Sequence, residues 1–143
     1  MKCVLQRVRS ASVSVGGEVV SEIGAGMLIL GAVEKGDSED SIRAAAAKLR
    51  DLRIFEDEEG RMNRDLRDIG GSILAVSQFT LAASIARGRR PSFTGAEEPG
   101  RARELFDRFV EELGADGIEV KTGVFAASMV VTLENDGPVT FIF

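Results

Sequence analysis

Histidine, tryptophan and tyrosine are all missing from this chain, cysteine occurs once and proline only three times. Without histidine, no Ser-His-Asp or Cys-His nucleophile can be assembled within it. One cysteine and no histidine cannot furnish a zinc site of the Cys/His kind. The single Cys3 also leaves no disulfide framework, so a cytoplasmic setting is the default expectation. No apolar run approaches the roughly 20 residues that span a bilayer, and Met1–Ser10 alternates rather than reading as a signal peptide. No Asp-x-Asp ligand loop is evident among the 23 acidic residues, so no metal or other cofactor is expected. If the chain is an enzyme, its protons must move through carboxylates, backbone, water or the substrate itself.

What is present suits one compact α+β domain over residues 1–143, with 44% hydrophobic residues to fill a core. Cys3–Val8, Ala11–Val15, Val19–Ile23 and Met27–Val33 read as short strands, and Gly16-Gly17 as a hairpin turn. Asp37 or Ser38 can cap a helix carrying Ile42, Ala45, Ala46 and Leu49 at helical spacing. Leu52–Phe55 and Met62–Leu66 read as extended chain around an acidic turn at Asp57–Gly60. Ser72–Leu81 is dense enough in apolar residues for a central strand covered on both faces. Ala83–Gly95 reads as a loop, and a second helix is predicted from Pro99 to Leu113, ending at Gly114. Glu119–Thr122, Met129–Leu133 and Val139–Phe143 close the chain as strands.

Three segments could carry chemistry. Ser77-Gln78-Phe79-Thr80-Leu81 sets polar side chains at the end of a buried strand, where each needs a partner. The plain alternative is that Ser77 and Thr80 satisfy loop backbone and that Phe79 belongs to the core. Arg87, Arg89 and Arg90, with Gly88 between them and Phe93 nearby, form a basic loop suited to phosphate contact. This local patch matters because the net charge of −5 argues against coating nucleic acid with the whole surface. The alternative pairs these arginines with Glu97 and Glu98. Finally, Asn135-Asp136-Gly137-Pro138-Val139-Thr140 interrupts strand-like sequence with a residue that cannot donate a ladder hydrogen bond. It is either a recognition corner built from backbone or an ordinary hairpin turn. Cys3 reads as core, and Arg7 as a charge that either reaches outward or has a specific partner.

Jointly, Ser77–Leu81, Gly88–Phe93 and Asn135–Thr140, with Gln6-Arg7-Val8 and Leu52-Arg53-Ile54-Phe55, resemble the D-aminoacyl-tRNA deacylase family over essentially the whole chain. The resemblance implies a barrel-like core of mixed and antiparallel sheet with two main helices. It also implies a homodimeric hydrolase that frees tRNA from D-amino acids, a proofreading step extending to glycyl-tRNA(Ala). On that resemblance Ser77, Gln78, Phe79 and Thr80 hold the 3′-terminal aminoacyl-adenosine. Ala102, Phe125 and Met129 shape the pocket, and Gly137 with Pro138, joined by a cis bond, reaches into the partner's pocket to reject L-side chains. Arg87, Arg89 and Arg90 would meet the acceptor stem. Catalysis would be RNA-assisted, with backbone amides near Phe79 and Thr80 stabilising the oxyanion and Thr80 positioning rather than attacking. The chain departs from many relatives at Ala82 and Ser84, where they carry an aromatic and an acidic residue.

Overall fold

The computed structural model describes residues 1–86 and 88–143, so Arg87 lies outside the described residues. Strand β1 (Lys2–Val15) is one long strand where the sequence suggested two, and it organises the sheet. On one edge its C-terminal half pairs antiparallel with β2 (Glu18–Ile23) through the Gly16-Gly17 turn, and its N-terminal half with β3 (Gly26–Ala32). Both turn glycines have positive φ, the geometry that matches the right-handed twist of a hairpin. Strand β6 (Ser72–Ser77) runs parallel to β3, and β7 (Val120–Thr122) parallel to β6. A small separate ribbon joins β4 (Phe55–Glu56) to β5 (Met62–Arg64).

Side-chain alternation along β3 and β6 divides the core in two. Met27, Ile29, Ile73 and Ala75 face helices α1 (Glu39–Arg50) and α2 (Pro99–Leu113), meeting Ile42, Leu49, Leu105 and Phe109. Leu28, Leu74 and Val76 face the other way, onto Val8, Ala11, Val13 and Ile23, because the sheet curls over itself. The continuous apolar run of β6 is therefore explained by burial on both faces. Cys3 is fully buried, and loss of hydration pushes its thiol pKa up to about 12, so it is core.

Helix α1 is capped by Ser38: its hydroxyl accepts from Ser41 N at 3.2 Å, while Ser38 N donates to Ser41 Oγ at 3.0 Å. Behind the helices, Arg67 gathers Asp65, Asp51 and Asp116. The Arg67 side chain, hydrogen-bonded to Asp65, holds that carboxyl below the usual carboxylate range, with partial desolvation opposing it. A group whose folded pKa is depressed contributes stability above its unfolded pKa and loses it as pH falls. Asp65→Asn is therefore expected to lower Tm at pH 7, and the difference should shrink as the pH falls through and below the ordinary aspartate range and Asp65 takes up its proton. Thermal melts of the two proteins across that range check it.

The largest difference from the sequence reading lies at the C-terminal end. Strand β8 (Val130–Ile142) runs through Pro138 without turning back, paired with β1 on both sides of it. The register steps from Val8–Asn135 to Gln6–Thr140, so Asp136–Val139 stand opposite Arg7 alone. This is a bulge on an edge strand rather than a hairpin turn. Pro138 is tolerated because the outer edge of β8 makes no ladder bonds among the described residues.

Candidate active site

The site begins where β6 stops. In the parallel register Ser77 lies beside Gly31, and Gln78 N donates to Gly31 O at 2.8 Å, which fixes the strand's last residue. The chain then leaves as a 3-10 turn over Phe79–Ala82. Backbone bonding in that turn starts with Leu81 N to Gln78 O at 3.1 Å, so the amides of Phe79 and Thr80 stand outside its own ladder. Gln78 Nε2 donates to Thr80 Oγ1 at 3.0 Å. Phe79 is not core, as the plain alternative had it. It is 57% exposed.

Beside this turn opens a cavity of about 280 Å³, just under the usual size range for small-ligand sites. Ser77, Phe79, Ala102, Phe125 and Met129 all line it, so residues far apart in sequence converge there. The remaining wall, which sequence reasoning missed, includes Val33, Ala96, Glu97 and Ala126. No local motif marks them. A bridge between Glu34 and Ala96 and the bond from Glu97 N to Val33 O at 3.1 Å tie the chain before α2 to the end of β3. Met129 is held by its sulfur, which accepts from Val124 N at 3.3 Å. A Cβ at Gly123 would sit 2.7 Å from that sulfur, so a side chain there would push the Met129 thioether from its place in the wall. Ala126 adopts φ +62°, a left-handed conformation uncommon for a side-chain-bearing residue, in the cavity wall. Ser77 and Glu97 supply the polar side chains of an otherwise apolar lining.

Gly137 and Pro138 do not line this cavity; they sit exposed on the β8 bulge. Their peptide bond is cis, and Gly137 has φ +139°. The bulge is held by side chains. Val139 N donates to Asn135 Oδ1 at 2.7 Å, and Asn135 Nδ2 donates to Thr140 Oγ1 at 3.2 Å. Arg7 lies underneath, only 5% exposed, donating to Asp136 O at 2.9 Å and Ile54 O at 2.7 Å. Of the two readings offered for Arg7, the specific partner is the one observed. Arg9 adds a bond to Asp136 Oδ1 at 3.1 Å from outside. Asn135 and Arg7 therefore turn a four-residue excursion into a fixed projection.

The basic loop is a small arm. Ser84 and Ser92 exchange backbone hydrogen bonds of 2.8 and 2.9 Å, placing Arg89 and Arg90 at an exposed tip. Neither arginine forms an ion pair among the described residues, and Glu97 instead accepts from Glu98 N at 2.8 Å. The acidic groupings are surface turns. Asp57 accepts from Arg61 N, Asn63 Nδ2 and Glu59 N, and the first of these does most to hold its carboxyl below the usual range. Among the described residues no three His, Cys, Asp or Glu side chains are grouped to hold a metal, and no helix is long and apolar enough to cross a membrane.

Residues 4–143 match the family model described as D-Tyr-tRNA(Tyr) deacylase. The chain is 58% identical over 142 residues to the D-aminoacyl-tRNA deacylase of Pelobacter propionicus, spanning 99% of this chain and 98% of that protein. Identity to the D-aminoacyl-tRNA deacylase of Persephonella marina is also 58% over 142 residues, with coverage of 99% and 96%. Among solved structures, a c-Myc DNA Unwinding Element Binding Protein superposes with TM-score 0.94 at 38% identity, covering 100% of this chain and 97% of that one. A probable eukaryotic D-amino acid tRNA deacylase superposes with TM-score 0.84 at 20% identity, over 99% and 97% of the two chains, a likeness of fold. A family match over nearly the full length, with relatives more than half identical, settles the assignment: the chain belongs to the D-Tyr-tRNA(Tyr) deacylase family.

Proposed function

We propose that this protein hydrolyses the ester joining a D-amino acid, or glycine mischarged on tRNA(Ala), to the terminal ribose of tRNA. It acts as a cytoplasmic homodimer in which each subunit projects its Gly137-Pro138 corner into its partner's cavity. The observation that carries the reading is the separation of two built features: a cavity without the corner and a corner outside the cavity. A mostly apolar lining with two polar side chains suits the terminal adenosine. Ser77, Gln78, Phe79 and Thr80 flank the ester, while Ala102, Phe125 and Met129 hold the base.

In this reading water attacks the ester carbonyl with help from the 2′-hydroxyl of the terminal ribose. The negative charge that forms on the carbonyl oxygen is met by the unpaired amides of Phe79 and Thr80, a contribution of about 2.7–4 kcal/mol per donor in comparable sites. The C–O bond to the ribose then breaks, releasing tRNA and the free amino acid. Main-chain atoms of the corner face the α-carbon and leave no room for an L-side chain. They reject by occupying space, which tolerates many different D-side chains.

The test is hydrolysis of D-tyrosyl-, L-tyrosyl- and glycyl-tRNA by the purified protein. Loss of the D and glycyl esters with survival of the L ester supports the reading; loss of the L ester at an equal rate contradicts it. Inertness towards all three would favour a nucleic-acid-binding protein without catalysis, a reading to which the described function of one structural neighbour and the unpaired Arg89 and Arg90 lend weight. Thr80→Ala is expected to retain activity within about tenfold of wild type, since its hydroxyl takes part in one neutral hydrogen bond. An acyl-enzyme trapped on Thr80 would contradict this positioning role.

A further inference from the structure

Two aromatic rings at the rim of the cavity are left out of the core. Phe79 is 57% and Phe93 40% exposed, and their centroids lie 5.0 Å apart at an interplanar angle of 62°. Exposed phenylalanines held edge to face make a contiguous apolar patch of the kind that marks an interaction site rather than chance exposure. Phe79 also lines the cavity, so the pair begins where the cavity ends. Phe93 follows directly on the arm closed by Ser84 and Ser92, whose tip carries Arg89 and Arg90. On α2 the picture differs: Arg101, Arg103 and Arg108 each face a carboxylate of their own helix. Among the described residues, arginines without an ion pair and exposed aromatic rings therefore coincide at one place, in a protein of net charge −5.

We propose that Phe79 and Phe93 form a stacking platform for the base immediately 5′ of the terminal nucleoside, with Arg89 and Arg90 on the phosphates of the single-stranded tail. This rests on reading the cavity as the seat of the terminal nucleoside. A nucleoside seated there leaves its 5′-phosphate at the mouth, and the next base falls within one nucleotide's reach of the aromatic pair. The occupant is unpaired nucleic acid, because a base within a duplex has both faces covered by its neighbours. Such a platform accepts any base, since each presents a π-face, but it requires that a base be there.

That requirement gives the test. kcat/KM is measured on a D-aminoacylated RNA stem with a natural tail and on one carrying an abasic residue just before the terminal adenosine, for wild type, Phe93→Ala and Phe93→Trp. Stacking of one base predicts a loss of roughly tenfold or more, carried by KM, for Phe93→Ala on the natural tail and for wild type on the abasic tail. Combining variant and abasic tail should add little further loss, and Phe93→Trp should restore the natural-tail value. Losses that multiply when combined would overturn the proposal. So would a change of sedimentation coefficient in Phe93→Ala, which would mean that a second copy of this chain covers the pair. Failure of wild type to hydrolyse the natural-tail ester would instead remove the nucleoside reading of the cavity. Wild-type hydrolysis without coupling between Phe93 and the base would remove the platform alone.

Discussion

Ala102→Phe is expected to reduce kcat/KM for D-tyrosyl-tRNA by at least about a hundredfold, the loss that small misplacements of bound substrate already produce. Ala102 sits near the start of α2, its amide bonded to Glu98 O at 2.8 Å, with its methyl group in the cavity wall beside Phe125 and Met129. A phenyl ring there would occupy much of a space of about 280 Å³. The fold should survive, because Ala102 is only partly buried against the main core and the cavity can receive the ring. The intrinsic helix-propensity penalty of the exchange is less than about 0.7 kcal/mol. Circular dichroism and a thermal melt close to wild type, together with lost hydrolysis, are the expected pair of results. Near-normal kinetics would show that substrate does not enter this cavity.

Gly137→Ala tests the other half of the site. At φ +139° an L-side chain is strained in any surroundings, and this one is not empty. The added Cβ would lie 2.6 Å from Val139 Cγ2 and 2.9 Å from Val139 N. Moving Val139 N breaks its 2.7 Å bond to Asn135 Oδ1, and the Arg7 guanidinium, 3.3 Å away, closes the remaining escape. The corner must shift as a unit. The expected outcome is a loss of stability of about 1–3 kcal/mol, seen in urea denaturation. Alongside it, the ratio of D- to L-tyrosyl-tRNA hydrolysis should fall towards unity. An unchanged ratio would show that the corner does not select the substrate's chirality.

Legibility in the sequence followed the range of the interactions involved. Helix α2, from Pro99 to Leu113, and the Ser38 cap were readable because each rests on residues a few positions apart. The central strand β6 was readable because burial on both faces leaves an unbroken apolar run. The continuity of β8 was not. Pro138 looks like a strand end, and what carries the strand past it is Arg7, bonded across 129 residues to Asp136 O. The exposure of Phe79 was equally hidden, since an aromatic after Ala75-Val76 has a core pattern until the chain leaves β6 at Gln78. Val33, Ala96 and Glu97 entered the cavity wall only through the bridge from Glu34 to Ala96. The family resemblance supplied Ala102, Phe125 and Met129, which no local pattern singles out and which meet at one cavity.

The most direct measurement mixes the two damaged proteins. Unfolding and refolding Gly137→Ala together with Ala102→Phe yields mixed dimers with one sound cavity and one sound corner, on opposite subunits. If the corner serves the partner, the D- to L-tyrosyl-tRNA ratio lost in Gly137→Ala alone rises again as Ala102→Phe is added in excess, because that variant brings sound corners but no working cavity. A ratio in the mixture no higher than that of Gly137→Ala alone would place the corner's action within its own subunit, or nowhere, and contradict the account.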